Sequence, residues 1–293
     1  MKHKVVILAI GTAMVFLTGT VARAQIVDGT LDGAYGSALA VQTANTGFGS
    51  GPASGGGNQL DAGYGLISGG NLYLFFAGNT SDGNFLDVFI ADGRAGGQNT
   101  LSVASGATVA MNGSVFSPGF NATFSVNVNT YAGTMYPNIY DLVANTGGYT
   151  GSGLPDSGGT VSGAAAGNGV QLAVNNSSSA GSGVNTGIGA LTVTTGWELA
   201  IPLSLLGNPS SVKVLADING NPDNYLSNQF LPGLPDGTGN VGGGGPYSGP
   251  GAGAFNFGST PNEYFTVSVP EPSTVAMSLS GLAALLVFRR RAK

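Results

Sequence analysis

The 293-residue chain contains no cysteine, and its one histidine, His3, lies at the extreme N-terminus. The lack of cysteine excludes disulfides, zinc–thiolate centres and iron–sulfur clusters. Without a histidine after residue 3, the rest of the chain also lacks Ser-His-Asp and Cys-His nucleophile systems and histidine-ligated metals. Carboxylates, tyrosine, serine, Arg94 and Lys213 are the main groups left for chemistry between residues 25 and 269.

Basic residues are scarce outside the two ends of the chain. Residues 25–269 hold two basic residues against 13 acidic ones, which gives a formal net charge of −11. A domain with this balance will not bind nucleic acid, because neutralising phosphates takes several clustered lysines or arginines. It would instead attract cations such as calcium. The terminal segments carry the other basic residues: Lys2, Lys4, Arg23, Arg289, Arg290, Arg291 and Lys293.

The first 24 residues have the three parts of a secretory signal peptide. A basic start precedes an apolar run over residues 5–20, and Ala22 and Ala24 then supply the small-x-small pattern of a cleavage site. We therefore expect signal peptidase to cut after Ala24. The predicted exported domain is residues 25–269.

The last 24 residues join three features in a fixed order. A Pro-Glu-Pro tripeptide is followed by an apolar run over residues 275–288 and then by three consecutive arginines. As a helix, the apolar run is about 21 Å long at about 1.5 Å per residue, which is short for a hydrocarbon core of about 30 Å. The arginines would stay cytoplasmic by the positive-inside rule. The residues concerned are Pro270, Glu271, Pro272, Arg289, Arg290 and Arg291.

This C-terminal segment, residues 270–293, resembles the PEP-CTERM sorting signal that exosortases process in Gram-negative bacteria. The resemblance implies a transient inner-membrane anchor through the transmembrane segment 275–288. It further implies cleavage by an exosortase and transfer to the cell surface or the extracellular matrix. The alternative is an ordinary C-terminal membrane anchor.

Strand-length apolar runs bounded by Gly, Asn, Asp or Pro recur through residues 25–269, and helical periodicity is almost absent. The run 71–78 is apolar on both faces, and the run 85–92 follows it across a short turn, which predicts a hairpin. Residues 122–130 alternate apolar with polar side chains, which predicts one solvent-facing side. The pattern favours an all-β antiparallel β-sandwich, jelly-roll-like in type. Further predicted strands are 38–43, 61–68, 107–111, 138–143, 169–174, 196–201, 211–218 and 263–269.

Glycine makes up 52 of the 293 residues, which predicts long glycine-rich loops between the strands. The last of these stretches has the alternative of a linker, but the strand-like segment after it favours a loop. The predicted loops are 45–58, 145–159, 175–189 and 231–257.

The predicted ectodomain resembles family 9 carbohydrate-binding modules and the related DOMON-like sandwiches in three segments. These are the opening 26–35, the strands within 72–92, and 196–206, where a strand meets a Pro-initiated helical turn. The resemblance implies a sandwich framework over about half of the domain. It says little about function, because such sandwiches host unrelated activities.

One segment has the spacing of a calcium loop. Asp217, Asn219, Asn221 and Asp223 place oxygen-bearing side chains at every second position, and calcium takes six to eight oxygen ligands. The bidentate glutamate of an EF-hand is missing, because Asn228 stands at its position. Asn, Gly, Pro and Asp are also ordinary turn residues, so a plain turn after a strand is the alternative.

Other acidic and aromatic residues suggest weaker hypotheses. Two aspartates could form a glycosidase acid–base pair, but nothing in the sequence shows the required spacing, and turn or capping roles are commoner. The single tryptophan, Trp197, lies in an apolar strand, which favours a core position over a sugar-binding one. The aspartates are Asp28, Asp32, Asp82, Asp87 and Asp92, and the candidate sugar-stacking residues are Tyr35, Tyr64, Tyr131, Tyr136, Tyr149, Tyr225 and Tyr247.

Three functional hypotheses follow, in decreasing order of support. The first is a non-enzymatic, exosortase-processed protein of the cell surface or extracellular matrix. The second is a carbohydrate-binding module for extracellular polysaccharide, with calcium as its candidate cofactor. The third is an enzyme.

Overall fold

The computed structural model describes residues 25–48, 58–163, 166–177, 189–242, 254–260 and 263–269. The predicted signal peptide and C-terminal segment lie outside these residues, and so do all of their processing positions. Large parts of the predicted loops 45–58, 175–189 and 231–257 also lie outside them. In the described part of the chain, no helix is long and apolar enough to span a membrane.

Two antiparallel sheets form the fold, as the strand pattern predicted. Six strands form the first sheet: β1 (Ala40–Val41), β2 (Gln59–Ser68), β3 (Asn71–Asn79), β9 (Gly159–Thr160), β10 (Gln171–Val174) and β11 (Gly196–Pro202). Their spatial order is β1-β2-β3-β11-β10-β9.

Eight strands form the second sheet: β4 (Phe85–Ala91), β5 (Phe124–Tyr131), β6 (Thr134–Asp141), β7 (Thr146–Tyr149), β8 (Leu154–Pro155), β12 (Ser211–Gly220), β13 (Tyr225–Leu231) and β14 (Phe265–Ser268). The main path runs β13-β12-β4-β5-β6-β7, with β14 paired to β12 and β8 paired to β6. This arrangement confirms an all-β sandwich.

The predicted hairpin between residues 71–78 and 85–92 is wrong. β3 pairs with β2 and β11, whereas β4 pairs with β12 and β5, so the link between β3 and β4 crosses from one sheet to the other. Both strands are apolar on two faces because each sheet is covered on its outer side as well as its inner side. The two strands are close in sequence, which suggested that they pair, but they lie in different layers of the sandwich.

Residues 107–111, which the pattern predicted as a strand, form a 3₁₀ helix. Thr108 and Met111 are buried, whereas Val109 is 40% exposed, and this spacing of three matches a 3₁₀ turn. The other short 3₁₀ helices of the described residues are Gly33–Tyr35, Ala190–Thr192, Leu203–Leu206 and Phe257–Ser259. The helix at Leu203–Leu206 follows β11 directly, which agrees with the strand and Pro-initiated helical turn predicted for residues 196–206.

The predicted loop 145–159 contains β7, β8 and the start of β9. β7 has the sequence Thr-Gly-Gly-Tyr, which its glycines made resemble a loop. A β-carbon on Gly147, whose φ is +131°, would lie 2.1 Å from the carbonyl oxygen of Ile139. Glycine is therefore required where β7 pairs closely with β6. β13 also has no counterpart among the predicted strands.

The main hydrophobic core lies between the two sheets and includes Phe76, Val88, Val126 and Trp197. Trp197 is fully buried, and its Nε1 donates a hydrogen bond to Thr80 Oγ1 at 3.2 Å. The core position predicted for this tryptophan is therefore confirmed. Tyr35 and Tyr64 are buried too, in a smaller cluster on the outer face of the six-stranded sheet.

A second large cluster covers the outer face of the eight-stranded sheet. Phe89 of β4 packs there against Phe116 and Phe257, at ring-centroid distances of 5.2 and 5.6 Å. This covering buries Ser125 and Asn127, so the solvent-facing side predicted for residues 122–130 is wrong. The polar side chains of β5 face an enclosed layer.

Candidate cation site

A row of polar side chains crosses this enclosed outer face of the eight-stranded sheet. In register, Asp217 of β12 lies opposite Asp87 of β4, Asp87 opposite Asn127 of β5, and Asn127 opposite Asn138 of β6. All four side chains are at most 6% exposed. Cross-strand neighbours have β-carbons about 5 Å apart, so each polar side chain of the row is close enough to contact the next one.

Asp223 completes the group from the turn after β12. Its left-handed backbone, with φ of +71°, returns its carboxyl group to the sheet, where it is fully buried. The amide of Asn127 donates to Asp223 Oδ2 at 2.9 Å and also to Asp87 Oδ1. Asn138 Nδ2 in turn donates to Asn127 Oδ1 at 3.3 Å. We call Asp87, Asn127, Asp217, Asn219 and Asp223 the acidic cluster.

The segment before the 3₁₀ helix at Ala107–Met111 covers one end of this row. A β-carbon on Gly106 would lie 2.2 Å from the hydroxyl oxygen of Tyr140 and 2.8 Å from Asn138 Oδ1. The Tyr140 hydroxyl donates to the carbonyl oxygen of Ser105 at 2.9 Å, which fixes the segment in place. Backbone atoms as well as side chains therefore cover this end of the row.

Asp87 lies close enough to Asp217 and to Asp223 to share a hydrogen bond with each when one partner is protonated. When all three carboxyl groups are ionised, four of their oxygens have no hydrogen-bond donor within the described residues. They are Asp87 Oδ2, both oxygens of Asp217, and Asp223 Oδ1. The side-chain nitrogen of Asn219 is also unpartnered there, while its oxygen accepts from the Tyr225 amide at 2.8 Å. Buried polar atoms nearly always have a hydrogen-bond partner, so this concentration of atoms without one is unusual.

Burial raises the pKa of all three aspartates. It raises the pKa of Asp87 to about 6, although the Asn127 amide works in the opposite direction. The pKa values of Asp217 and Asp223 lie well above the ordinary value, first through burial and then through repulsion from Asp87. Each group therefore resists ionisation in this environment.

Neither basic residue of the exported domain balances this charge. Arg94 pairs with Asp92 at 2.9 Å and with Asp141 at 3.2 Å. The Nζ of Lys213 lies 4.4 Å from the ring centroid of Tyr264 and donates to the carbonyl oxygen of Gly119. Because residues 25–269 contain no other lysine, arginine or histidine, the protein itself supplies no cation to the acidic cluster.

Glu198 shows how the same fold satisfies a buried carboxylate. It accepts from the amides of Asp28 and Gly29 at 3.0 and 3.1 Å and from the Tyr35 hydroxyl at 2.9 Å. Burial raises its pKa, and these donors act against the increase. The acidic cluster differs because its donors are too few for its oxygens.

The structure gathers three of the four residues in the predicted calcium loop and separates the fourth. Asp217, Asn219 and Asp223 meet in the acidic cluster, whereas Asn221 is exposed in the turn, beside Gly83. The strand alternation ends with β12 at Gly220, so Asn221 no longer follows the sheet face. Within the described residues, no group of three or more Asp, Glu, His or Cys side chains has the spacing of a preformed metal centre.

Sequence reasoning missed the role of Asp87 and Asn127 in this cluster. The sequence suggests Asp87 only as a candidate for an acid–base pair, and its position inside an apolar strand is the one signal for a role in this cluster. Three other candidate aspartates have local roles. Asp28 accepts from the Thr30 amide, Asp82 from the Ala132 amide, and Asp92 from the Arg94 amide.

Exposed tyrosines lie at the other end of the row. Tyr149 of β7 is opposite Asn138 and 49% exposed, and its ring centroid is 6.5 Å from that of the half-buried Tyr136. Beside them a shallow cavity of about 350 Å³ is lined by Ile139, Tyr149 and several glycines. Tyr131 is also exposed, Tyr225 stacks on Phe48, and Tyr247 lies outside the described residues.

Residues 268–292 match the PEP-CTERM protein-sorting motif. This match supports the sorting signal recognised in the C-terminal segment, and it indicates export, processing by an exosortase and sorting to the cell surface. No curated protein and no solved structure matches the chain. The resemblance of the ectodomain to carbohydrate-binding and DOMON-like sandwiches therefore gains no support from these comparisons.

Proposed function

We propose that this chain is an exported, exosortase-processed protein with a non-enzymatic structural or binding role at the cell surface or in the extracellular matrix. The sorting motif at residues 268–292 is the observation that carries the proposal. The β-sandwich that precedes the motif is the part delivered to the cell surface or matrix. The C-terminal anchor is held transiently in the inner membrane and then removed.

The placement of the acidic residues supports a non-enzymatic role. Acid–base catalysis needs a carboxyl group within hydrogen-bond reach of the substrate. Asp87, Asp217 and Asp223 are fully buried, so a polysaccharide cannot reach them without opening the fold. Arg94 is already held between two carboxylates.

The sorting step predicts a defined change in mass. In a Gram-negative host with an active exosortase, the exported protein should lack the apolar run and the arginines that follow it. Replacing Pro270, Glu271 and Pro272 by alanine should leave the segment attached, because the processing signal is lost. Intact-protein mass spectrometry of the wild type and the variant measures the difference.

The matched control for this measurement is the wild-type chain in the same host without exosortase, where the C-terminal segment should also be kept. A wild-type product that retains Phe288 in the exosortase-positive host would contradict the proposal. It would make residues 275–288 a simple membrane anchor.

The tyrosine pair favours one second candidate, a carbohydrate-binding role. Tyr136 and Tyr149 lie 6.5 Å apart beside the shallow cavity, and exposed aromatic rings can stack on sugar faces. The surface around them on β7 is formed by glycines and threonines, with no charged side chain in the cavity lining. A neutral or weakly acidic extracellular polysaccharide is the ligand that this chemistry suits.

Under this second candidate, Tyr149→Ala should weaken polysaccharide binding by about tenfold, since ring contacts contribute on the order of 1 kcal/mol. Tyr225→Ala is the matched control, because Tyr225 has similar exposure and lies at the opposite edge of the sheet. A glycan array followed by calorimetry, with calcium and with chelator, would measure both. Absence of binding under both conditions contradicts the carbohydrate-binding role.

Hydrolysis of a polysaccharide that a single Asp→Asn change abolishes would contradict the non-enzymatic role.

A further inference from the structure

We infer that the acidic cluster binds a divalent cation of the calcium type between Asp87, Asp217 and Asp223. The site is built by two neighbouring strands and the turn after β12. It therefore differs from a continuous calcium loop over residues 217–223. The inference does not depend on the proposed function.

The first support is charge. The carboxyl group of Asp87 faces those of Asp217 and Asp223, and all three are fully buried. Buried charges are normally paired or coordinate a metal, because an unpaired charge loses its hydration without compensation. The only two basic residues of the exported domain are engaged elsewhere. An external cation is the partner that this arrangement lacks.

The second support is the fully buried side chain of Asp217, because in its ionised form neither of its oxygens accepts a hydrogen bond from a donor within the described residues. Asp87 and Asp223 each accept from the Asn127 amide with one oxygen, and the other oxygen of each has no donor among the described residues when the carboxyl groups are ionised. The amide therefore orients these two carboxyl groups and leaves one oxygen of each for a ligand. Glu198, buried in the other sheet, has protein donors instead and needs no ion.

The identity of the cation follows from the donors. Four carboxylate oxygens without a donor, with no cysteine or histidine between residues 25 and 269, favour a hard cation and disfavour zinc or copper. Calcium tolerates irregular geometry, whereas magnesium requires a near-ideal octahedron and keeps several waters. The enclosed layer under the Gly106 segment suits calcium better. Because the carboxyl groups lack preformed metal spacing, binding must change their relative positions by side-chain rotation.

Calcium titration of the purified full-length chain tests the site. Calorimetry should show one calcium per chain, with protons released on binding because the carboxyl groups must ionise. Saturating calcium should raise the unfolding temperature by about 5 to 10 °C over chelator, as expected when ligand exceeds its dissociation constant about a hundredfold. Magnesium at the same concentration should give less than half of this shift.

Asp217→Asn keeps the size of the side chain and removes a charge. In chelator at pH 7.5 it should unfold no earlier than the wild type, because one source of repulsion is gone. Its calcium affinity should fall at least tenfold, and its calcium-induced shift should disappear. Asp236→Asn, in an exposed turn, is the matched control and should keep the full calcium response.

Two results would overturn the inference. One is a wild-type chain that neither binds calcium nor gains stability from it at millimolar concentration, which would leave the carboxyl groups holding protons instead. The other is an Asp217→Asn variant that folds and keeps the wild-type calcium affinity. An Asp217→Asn variant that fails to fold is resolved by Asp223→Asn, for which the same loss is expected.

Discussion

In chelator, the protein should lose stability steadily as the pH rises from 4 to 8. The cause is the acidic cluster, in which burial raises the pKa of Asp87 to about 6 and those of Asp217 and Asp223 well above the ordinary value. Well below the ordinary pKa of about 3.9, these groups are protonated in both the folded and the unfolded chain, so they do not affect stability. As the pH rises, the unfolded chain releases its protons first, and the folded state must then retain protons or hold repelling charges.

The sign follows from proton linkage. Between the ordinary pKa and the raised one, the folded state binds more protons than the unfolded state, so stability falls with increasing pH. Each additional proton retained costs about 1.4 kcal/mol per pH unit. Asn138 and Tyr140 face the cluster from the neighbouring strand β6, and neither they nor Asn127 within the cluster supplies a positive charge.

Chemical denaturation at several pH values, in chelator and in calcium, measures this effect. In calcium the loss above pH 6 should largely disappear, because the ion favours the ionised carboxyl groups. Asp61, Glu198 and Glu263 also have raised pKa values, but they affect both conditions alike. The difference between the two curves therefore isolates the cluster, and curves that coincide at every pH would contradict the prediction.

The class of fold was predictable because strand-length runs and turn residues are local features. The assignment of strands to sheets was not. Residues 71–78 and 85–92 are close in sequence, but they belong to opposite sheets. Both are apolar on two faces because each outer face has its own covering layer, so their composition did not distinguish the sheets. The same covering explains why the alternation in residues 122–130 failed to identify a solvent-facing side.

Three of the five residues in the acidic cluster were predictable, for a related reason. Asp217, Asn219 and Asp223 lie within seven residues, so a local spacing rule could find them. Asp87 and Asn127 reach the site through strand pairings that join residues 40 to 130 positions apart, and no local pattern encodes such contacts. Asn221 satisfied the spacing rule but fell beyond the end of β12, where the two-residue periodicity no longer applies.

Replacing Trp197 by alanine should lower the stability of the protein more than any single change in the acidic cluster or at an exposed tyrosine. The indole is fully buried between the sheets, on a strand flanked by β3 and β10, where it lies opposite Phe76 and Val174. Removing a buried tryptophan costs about 3 to 5 kcal/mol through lost burial and the cavity left behind. For a domain of this size, that corresponds to a fall of about 10 °C in the unfolding temperature.

Trp197→Phe separates packing from hydrogen bonding. It keeps an aromatic ring and loses the bond from Nε1 to Thr80 Oγ1, so it should cost about 1 to 3 kcal/mol, clearly less than alanine. Tyr149→Ala is the control for an exposed aromatic residue and should change stability by about 0.5 kcal/mol or less. Any polysaccharide binding should survive in folded Trp197→Phe. Loss of that binding with stability intact would mean that this tryptophan contacts the ligand and would contradict its role as a core residue.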